Sequence, residues 1–320
     1  MKRDLPIAQL VPGDVLLYRG RGLVSDAIRL IDRSEVSHAG LFLGRFGDRG
    51  RSVGEAVREG LIRRELPRSV EHAEWVEARR LKDPPATLDP VLARAAHYLE
   101  RGERYAFEQI LLLAFLCITR TLAGSSALGR LLRVTLDAAA AFLLQLVHAG
   151  REPMLCSEFV YRCYGEGLPG SLDILERAAK AREAVIGTMR GIRRGSALAL
   201  YIEGQGEEDA QGIIDLSRSL RIPRSIDLSG VDESIRDYFS DLQTRAPRAA
   251  RVELASPELN PSFERFSAAL GMARGRTGRE APSRSEAMTA LVDAAADFVT
   301  PGDLQRSRSL AWIGKLKTKE

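Results

Sequence analysis

A short stretch around Cys156 is the feature that most constrains what this chain can fold into. Residues 152–164, EPMLCSEFVYRCY, place a cysteine at the start of an amphipathic helix. Phe159, Val160 and Cys163 follow Cys156 at i+3, i+4 and i+7, which is one helical face. In a first turn, unpaired backbone N–H groups and the helix dipole favour a thiolate, the form that acts as a nucleophile. Two interpretations follow: a nucleophilic cysteine, or a buried cysteine that caps a core stripe. A partner base would distinguish them.

Size and charge exclude some classes of function. A chain of 320 residues is long enough for two average domains, or for one domain with a large insertion. The net charge of +4, from 47 basic and 43 acidic residues, is too small to favour nucleic-acid binding. No basic run interleaved with aromatic residues occurs either. We therefore expect no nucleic-acid partner.

The 3 cysteines form no CxxC pair and no Cys/His cluster at metal-ligand spacing, so we predict neither a metal nor another cofactor. Cys156 and Cys163 are separated by roughly 10.5 Å of helical rise, beyond the reach of a disulfide. A reducing compartment fits this pattern. The apolar run after the N-terminus is broken by Pro6 and Pro12, which argues against a signal peptide and favours a cytoplasmic protein.

The first 100 residues alternate between strand-like and helical patterns. Pro12-Gly13-Asp14 is a turn signal, and the apolar run after it suits a buried strand. The pattern predicts strands near 15–18, 36–44, 52–57, 60–66 and 74–81, and helices over 23–31 and 91–99.

Residues 109–149 contain two apolar runs, near 110–118 and 138–144, separated by charged positions. Each run is shorter than the roughly 20 residues that span a bilayer, so we predict a buried helical hairpin. The alternative is an apolar flap that receives a lipid chain or rests on a membrane surface. Residues 169–295 are polar, with amphipathic pieces near 234–242 and 285–298, and 271–279 is predicted to be a mobile loop or linker.

His38 is the best placed of the 4 histidines to act as a base, because it lies in a predicted strand beside small residues. If the following hairpin turns near Phe46, residue 38 pairs with residue 55 or 57. Glu55 then lies opposite His38 or one diagonal step away, on the same face. A one-residue slip in register would move Glu55 to the other face. Gly40 and Gly54 leave room for another segment, such as a helix N-terminus, to approach.

These residues make a candidate triad. Cys156 is the predicted nucleophile, His38 the base, and Glu55 the carboxylate that fixes the ring tautomer. The backbone N–H of Cys156 is a candidate oxyanion donor. The competing interpretation is a structural histidine and a solvated strand carboxylate.

The order of four short blocks adds a resemblance to a known family. The blocks PGDVLLY, SHAGLFLG, GEAVREGL and LCSEFVYRCY occur in that order. This arrangement resembles the circularly permuted, papain-like branch of the NlpC cell-wall peptidase superfamily. The YiiX/YaeF-like proteins and the lecithin:retinol acyltransferase-like enzymes are neighbours of that branch. The closing TPGDLQRSRSL also resembles the family's C-terminal segment, so the resemblance covers roughly residues 10–165 and 297–313.

The resemblance assigns roles to the same residues. His38 looks like the family's base, Glu55 like its third polar residue and Cys156 like its nucleophile. Tyr105, in GERYAF, is similar to a tyrosine that lines the cleft, although Ala106 stands where relatives often have Asp. Ser37 and Ser157, next to the base and the nucleophile, are predicted with Tyr105 to contact the substrate.

The resemblance implies an α+β, permuted papain-like fold with an antiparallel sheet packed against the helix that bears the cysteine. Residues 1–168 and 296–320 would form the catalytic domain, with 109–149 as a hairpin within it. Residues 169–295 would be a polar insertion, mostly helical or partly disordered. The implied activity is hydrolysis or acyl transfer on a peptide, amide or acyl-lipid substrate. The alternative is a non-catalytic binding or scaffold module on a degenerate peptidase fold.

Overall fold

The chain is described by a computed structural model that covers residues 4–45, 50–57, 60–100, 108–120, 122, 127–150, 153–174, 197, 228–244, 259–274, 282–296 and 298–316. The structure divides into two compact units. Unit 1 contains residues 1–108, 154–180 and 299–320. Unit 2 contains residues 109–153 and 181–298.

Unit 1 is built on one mixed sheet of seven strands in the order β1-β7-β6-β2-β3-β4-β5. The strands are β1 (Asp4–Leu5), β2 (Val15–Gly20), β3 (His38–Arg45), β4 (Arg51–Val57), β5 (Gly60–Glu65), β6 (Ala73–Leu81) and β7 (Leu310–Leu316). The pair β1–β7 is parallel, and every other neighbouring pair is antiparallel. The predicted antiparallel sheet is therefore mixed, because β1 joins its edge beside the C-terminal strand.

The helices of unit 1 are α1 (Leu23–Asp32), α2 (Leu66–Val70), α3 (Asp89–Glu100), α6 (Cys156–Gly167) and α10 (Pro301–Arg306). One face of the sheet is closed by α2, whose Leu66 and Val70 join the apolar side chains of the strands. The strand members of this core are mainly Leu16, Tyr18, Phe42, Val53, Val76 and Ala78. They recur at every second position, as strand alternation requires.

Helix α6 packs on β3 and β4 and lies against α3. Phe159 is fully buried, and a Cβ added to Gly54 would lie 3.0 Å from its Cζ. Near the other end of α6, the Tyr164 hydroxyl donates a hydrogen bond of 2.6 Å to the carbonyl of Gly13. The predicted helix at Cys156 is confirmed, and so is the close approach that the glycine at position 54 permits.

Unit 2 is helical in the part that the structure describes. Its elements are α4 (Glu108–Thr119), α5 (Leu128–His148), α7 (Leu228–Thr244), α8 (Asn260–Ala273) and α9 (Arg284–Ala296). Helix α5 packs on α8 and α7, and α8 packs on α9. An aromatic cluster of Phe115, Phe266 and Phe298 supports this core, with ring centroids 5.6 Å and 5.0 Å from that of Phe115.

This arrangement differs from the predicted domain plan. The hairpin 109–149 was expected within the catalytic domain, but its helices belong to unit 2, because α5 buries its apolar face against helices of the polar insertion. The predicted linker is also wrong at its start, since α8 continues to Ala273. Residues 275–279 of that linker lie outside the described residues.

Helix α5 is longer than the sequence pattern suggested. It runs for 21 residues, through Arg130 and Arg133, without a break. Among the described residues it is the one helix long and apolar enough to cross a membrane, with a mean hydropathy of 1.4 over its best window. Of that window 61% is buried inside the protein, and a buried core helix passes the same length and composition test.

Candidate functional site

The structure brings His38 and Glu55 together at the end of the sheet. Gly40 pairs with Glu55, so Glu55 lies one diagonal step from His38 on the same face. Nε2 of His38 is 3.3 Å from Oε2 of Glu55. This is the second of the two arrangements that the strand pattern predicted.

The contact depends on a bulge in the β3–β4 hairpin. The register shifts between Phe42 and Gly44, where one extra residue stands on β3. Gly44 has a φ of 82°, a left-handed conformation that glycine adopts without steric cost. If the register at Arg45–Arg51 continued unbroken, Glu55 would pair with Leu41 and point to the face opposite His38.

Glu55 is almost fully buried, with 1% of its surface exposed, and its two oxygens have different surroundings. Oε2 accepts a hydrogen bond from the Ser69 hydroxyl at 3.3 Å, in addition to its contact with His38. Oε1 is 3.4 Å from Nε of Arg64 but has no hydrogen-bond partner among the described residues. The carboxylate is therefore shared between a histidine and an arginine.

Tyr18 supports both His38 and Glu55 from the neighbouring strand. It pairs with His38 across β2 and β3, and the two ring centroids are 5.1 Å apart. Its hydroxyl lies 2.6 Å from Oγ of Ser69. Burial raises the pKa of Tyr18 well above its usual value, and the neighbouring Glu55 and Cys156 raise it further. Tyr18 is therefore a hydrogen-bond donor throughout the physiological pH range.

Cys156 is the first residue of α6 and is fully buried. Phe159 lies over Gly54, and Tyr164 bonds the turn before β2. Cys156 acts electrostatically on Tyr18, which pairs with His38, so the N-terminus of α6 lies toward the His38 end of β3. Strand alternation puts Gly54 and Glu55 on opposite faces. A contact between Cys156 and His38 therefore has to form at the end of the sheet, where β3 begins, and not across its middle.

The first turn of α6 also contains a carboxylate, that of Glu158. Glu158 accepts a hydrogen bond from the backbone N–H of Leu155 at 3.3 Å, which satisfies one donor at the helix start. Arg162, one turn later, lies 2.8 Å from the Glu158 carboxylate. The arginine offsets a negative charge that would otherwise oppose a thiolate at the helix N-terminus.

Replacing Gly54 with alanine tests the close approach of β4 to α6. The added Cβ would meet the buried Phe159 ring at 3.0 and 3.1 Å, so the helix or the ring has to move. We expect the free energy of unfolding to fall by about 1–3 kcal/mol, measured by urea denaturation. The control is Phe159→Leu in the same background, which removes the opposing ring. Because Phe159→Leu lowers stability by itself, the comparison is the cost of Gly54→Ala in each background. If that cost is the same with leucine as with phenylalanine at position 159, the contact does not limit packing here.

The other predicted site residues are used differently or lie outside the described part. The Ser37 hydroxyl accepts a hydrogen bond from the backbone N–H of Gly20 at 3.1 Å. The Ser157 hydroxyl donates to the carbonyl of Val299 at 2.7 Å. Both serines are buried and bonded to backbone, so substrate contact by either stays a prediction. Tyr105 lies outside the described residues.

Three residues near Glu55 were not identified from the sequence: Tyr18, Ser69 and Arg64. Tyr18 ends the apolar run of β2 and has the pattern of a core residue. Ser69 lies in a helix of five residues that has no strong hydrophobic pattern. A usable signal exists for Tyr18, because a β2–β3 pairing ending at His38 places it opposite the histidine. Arg64 is a diagonal cross-strand neighbour of Glu55, because it pairs with Val53 on β4. Only the serine approaches through tertiary packing.

The remaining cysteines are poorly suited to react. Both are buried thiols, and burial raises the pKa of Cys117 to about 12. Burial also raises the pKa of Cys163 far above its usual value, and the charge of Glu166 adds to that effect. Within the described ranges, no group of three or more His, Cys, Asp or Glu side chains is placed to hold a metal ion.

Comparison with known proteins finds only a weak structural similarity. No protein-family profile matches the chain, and no curated protein matches it. Among solved structures the chain is similar to the crystal structure of metalloprotein yiiX from Escherichia coli O157:H7, at 21% sequence identity and a TM-score of 0.33. The alignment covers 50% of this chain and 67% of that chain. A similarity this weak does not establish a common fold.

Proposed function

We propose that the protein is a cysteine hydrolase or acyltransferase, with Cys156 as nucleophile, His38 as base and Glu55 orienting the histidine. The observation that carries the proposal is the His38–Glu55 contact of 3.3 Å, at the strand end toward which the cysteine-bearing N-terminus of α6 points. A carboxylate that accepts from Nε2 leaves Nδ1 as the nitrogen that can take a proton. This is the arrangement that a thiol–imidazole pair requires.

The proposed reaction has two steps. The Cys156 thiolate attacks the carbonyl carbon of an amide or ester, and the His38 imidazolium gives its proton to the departing amine or alcohol. The resulting thioester is then attacked by water or by an acceptor, His38 removes a proton from that group, and the bond to sulfur breaks to release the Cys156 thiolate. Backbone N–H groups at the start of α6 supply donors for the oxyanion, since the first N–H groups of a helix have no partner within it. A peptide, an amide or an acyl lipid fits this chemistry.

A second candidate function is favoured by one observation, the complete burial of Cys156. A catalytic thiol has to reach its substrate, whereas a buried cysteine with no exposure is typical of a core position. In this alternative the protein is a non-catalytic binding or scaffold module, and the polar segment 169–295 is where a partner docks. The reactivity of Cys156 distinguishes the two functions.

The pH dependence of alkylation, read for each cysteine by mass spectrometry, makes that distinction. If His38 holds Cys156 as a thiolate, iodoacetamide modifies Cys156 below about pH 7. Cys117 and Cys163 stay unmodified well into the alkaline range, because their raised pKa values keep them protonated thiols. We expect His38→Ala to remove the low-pH reactivity of Cys156.

Two comparisons make this experiment decisive. Replacing His97 with alanine removes a histidine on α3 and should leave the alkylation profile of Cys156 unchanged. Unfolding the protein in urea should make all three cysteines react alike, which shows that each peptide is detected. If folded Cys156 reacts no faster than Cys163 near neutral pH, the catalytic proposal fails and the binding module takes its place.

A further inference from the structure

The carboxylate of Glu55 is under competing attractions. Its Oε2 contacts His38 at 3.3 Å, whereas its Oε1 faces the Arg64 guanidinium at 3.4 Å. Arg64 carries a permanent charge, and 22% of its side chain is exposed. An arginine fork can bind both oxygens of one carboxylate, which would turn Glu55 away from the histidine. Some other group has to hold Oε2 where it is.

Ser69 and Tyr18 form a hydrogen-bonded chain that ends on that oxygen. A carboxylate only accepts hydrogen bonds, so the single hydroxyl hydrogen of Ser69 is used on Oε2 of Glu55. The bond of 2.6 Å between Ser69 and Tyr18 must then be donated by the tyrosine. The donor directions are fixed from Tyr18 to Ser69 to Glu55.

The hydrogen-bonded series from Tyr18 through Ser69 to Glu55 is shielded from water. Tyr18 is 3% exposed and Ser69 is 8% exposed. The tyrosine hydroxyl passes close to Gly40, where an added Cβ would lie 3.3 Å from it. The glycine beside the pair therefore keeps open the path by which Tyr18 reaches Ser69.

We propose that Ser69 and Tyr18 are positioning residues that hold Oε2 of Glu55 against His38 in competition with Arg64. Any effect of these residues on catalysis rests on the proposed function. Its structural content is independent, because it concerns which partner the carboxylate of Glu55 takes. Ser69 acts on His38 through Glu55, and Tyr18 acts through Ser69.

The test is the titration of His38, followed by NMR in the full chain, with His38→Ala used to assign its signal. The charged or titratable groups around the ring are Glu55 on β4, Tyr18 on β2 and Arg64 on β5 beyond Glu55. Cys156, at the start of α6, acts electrostatically on Tyr18 beside the ring. Ser69→Ala releases Glu55 toward Arg64, so the imidazolium loses its carboxylate partner and the pKa of His38 falls by about one unit. Alkylation of Cys156 near neutral pH then slows about tenfold.

Matched variants separate positioning from simple support of the fold. Ser69→Thr keeps the hydroxyl and should restore the titration of His38. Tyr18→Phe keeps the ring against His38 and should give a smaller change in the same direction. In an Arg64→Gln background the competitor is absent, so the further effect of Ser69→Ala on His38 should shrink to a small fraction of its size in the wild type.

The results for Ser69→Ala and for alkylation of Cys156 test the positioning, the competition and the proposed function separately. If Ser69→Ala lowers the thermal midpoint but leaves the titration of His38 unchanged, Ser69 only anchors α2 and the proposal is overturned. If the effect of Ser69→Ala is the same size with and without Arg64, the competition is overturned. If His38 responds as expected while wild-type Cys156 shows no rapid alkylation, the proposed function fails and the positioning of Glu55 stands.

Discussion

Replacing Cys156 with serine is expected to abolish acyl-enzyme formation while the protein stays folded. With p-nitrophenyl acetate as the probe, the wild-type thiolate should release p-nitrophenol in a burst and carry the acetyl group as a thioester. Serine has no comparable anion available at neutral pH, so we expect the burst rate to fall by at least about a thousandfold. The burst is measured by stopped-flow absorbance, and the acetylated peptide is identified by mass spectrometry.

Cys163 provides a matched control on the same helix. It lies seven residues after Cys156 on the same face and is equally buried, so both substitutions replace a buried thiol with a hydroxyl. Each should lower the free energy of unfolding by about 1–3 kcal/mol. Only Cys156→Ser should remove the burst. If Cys163→Ser removes it equally, or if Cys156→Ser retains it, acylation does not occur at Cys156.

The placement of Glu55 shows where prediction from the sequence reaches its limit. Strand alternation identified a face shared by His38, Gly40 and Phe42, and the structure keeps that face. The alternation does not determine whether Glu55 lies on the same face, because a single extra residue between Phe42 and Gly44 sets the register. Gly44 is the one local sign of that bulge, and it is ambiguous, because a glycine in a hairpin strand also occurs where another part of the backbone approaches closely.

The two-unit organisation was harder to predict for a different reason. Apolar runs predict burial of α4 and α5 but not which surface buries them. Helix α8, which packs on α5, has its buried residues spread over most of its circumference and is preceded by polar sequence. The sequence of α8 therefore does not indicate that it packs on α5, more than 100 residues earlier in the chain.

The ion pair between the buried carboxylate of Asp14 and the partly exposed Arg80 should give the largest loss of stability in unit 1. Asp14 is fully buried just before β2, and its carboxylate accepts bonds of 2.7 and 2.8 Å from Arg80 on β6 and one of 2.9 Å from the backbone of Val11. Arg80→Ala leaves that carboxylate buried without its counterion. We expect the free energy of unfolding to fall by about 3 kcal/mol, measured by urea denaturation.

Arg19, on the strand that follows Asp14, offers the control, because its bond to Glu74 is also 2.7 Å long but both side chains are partly in contact with water. Arg19→Ala should therefore cost less than about 1 kcal/mol. Since removing Asp14 also removes the buried charge, Asp14→Ala/Arg80→Ala should lose less stability than the sum of the two single variants. If Arg80→Ala costs no more than Arg19→Ala, or if the losses simply add, burial of the carboxylate does not make Arg80 necessary.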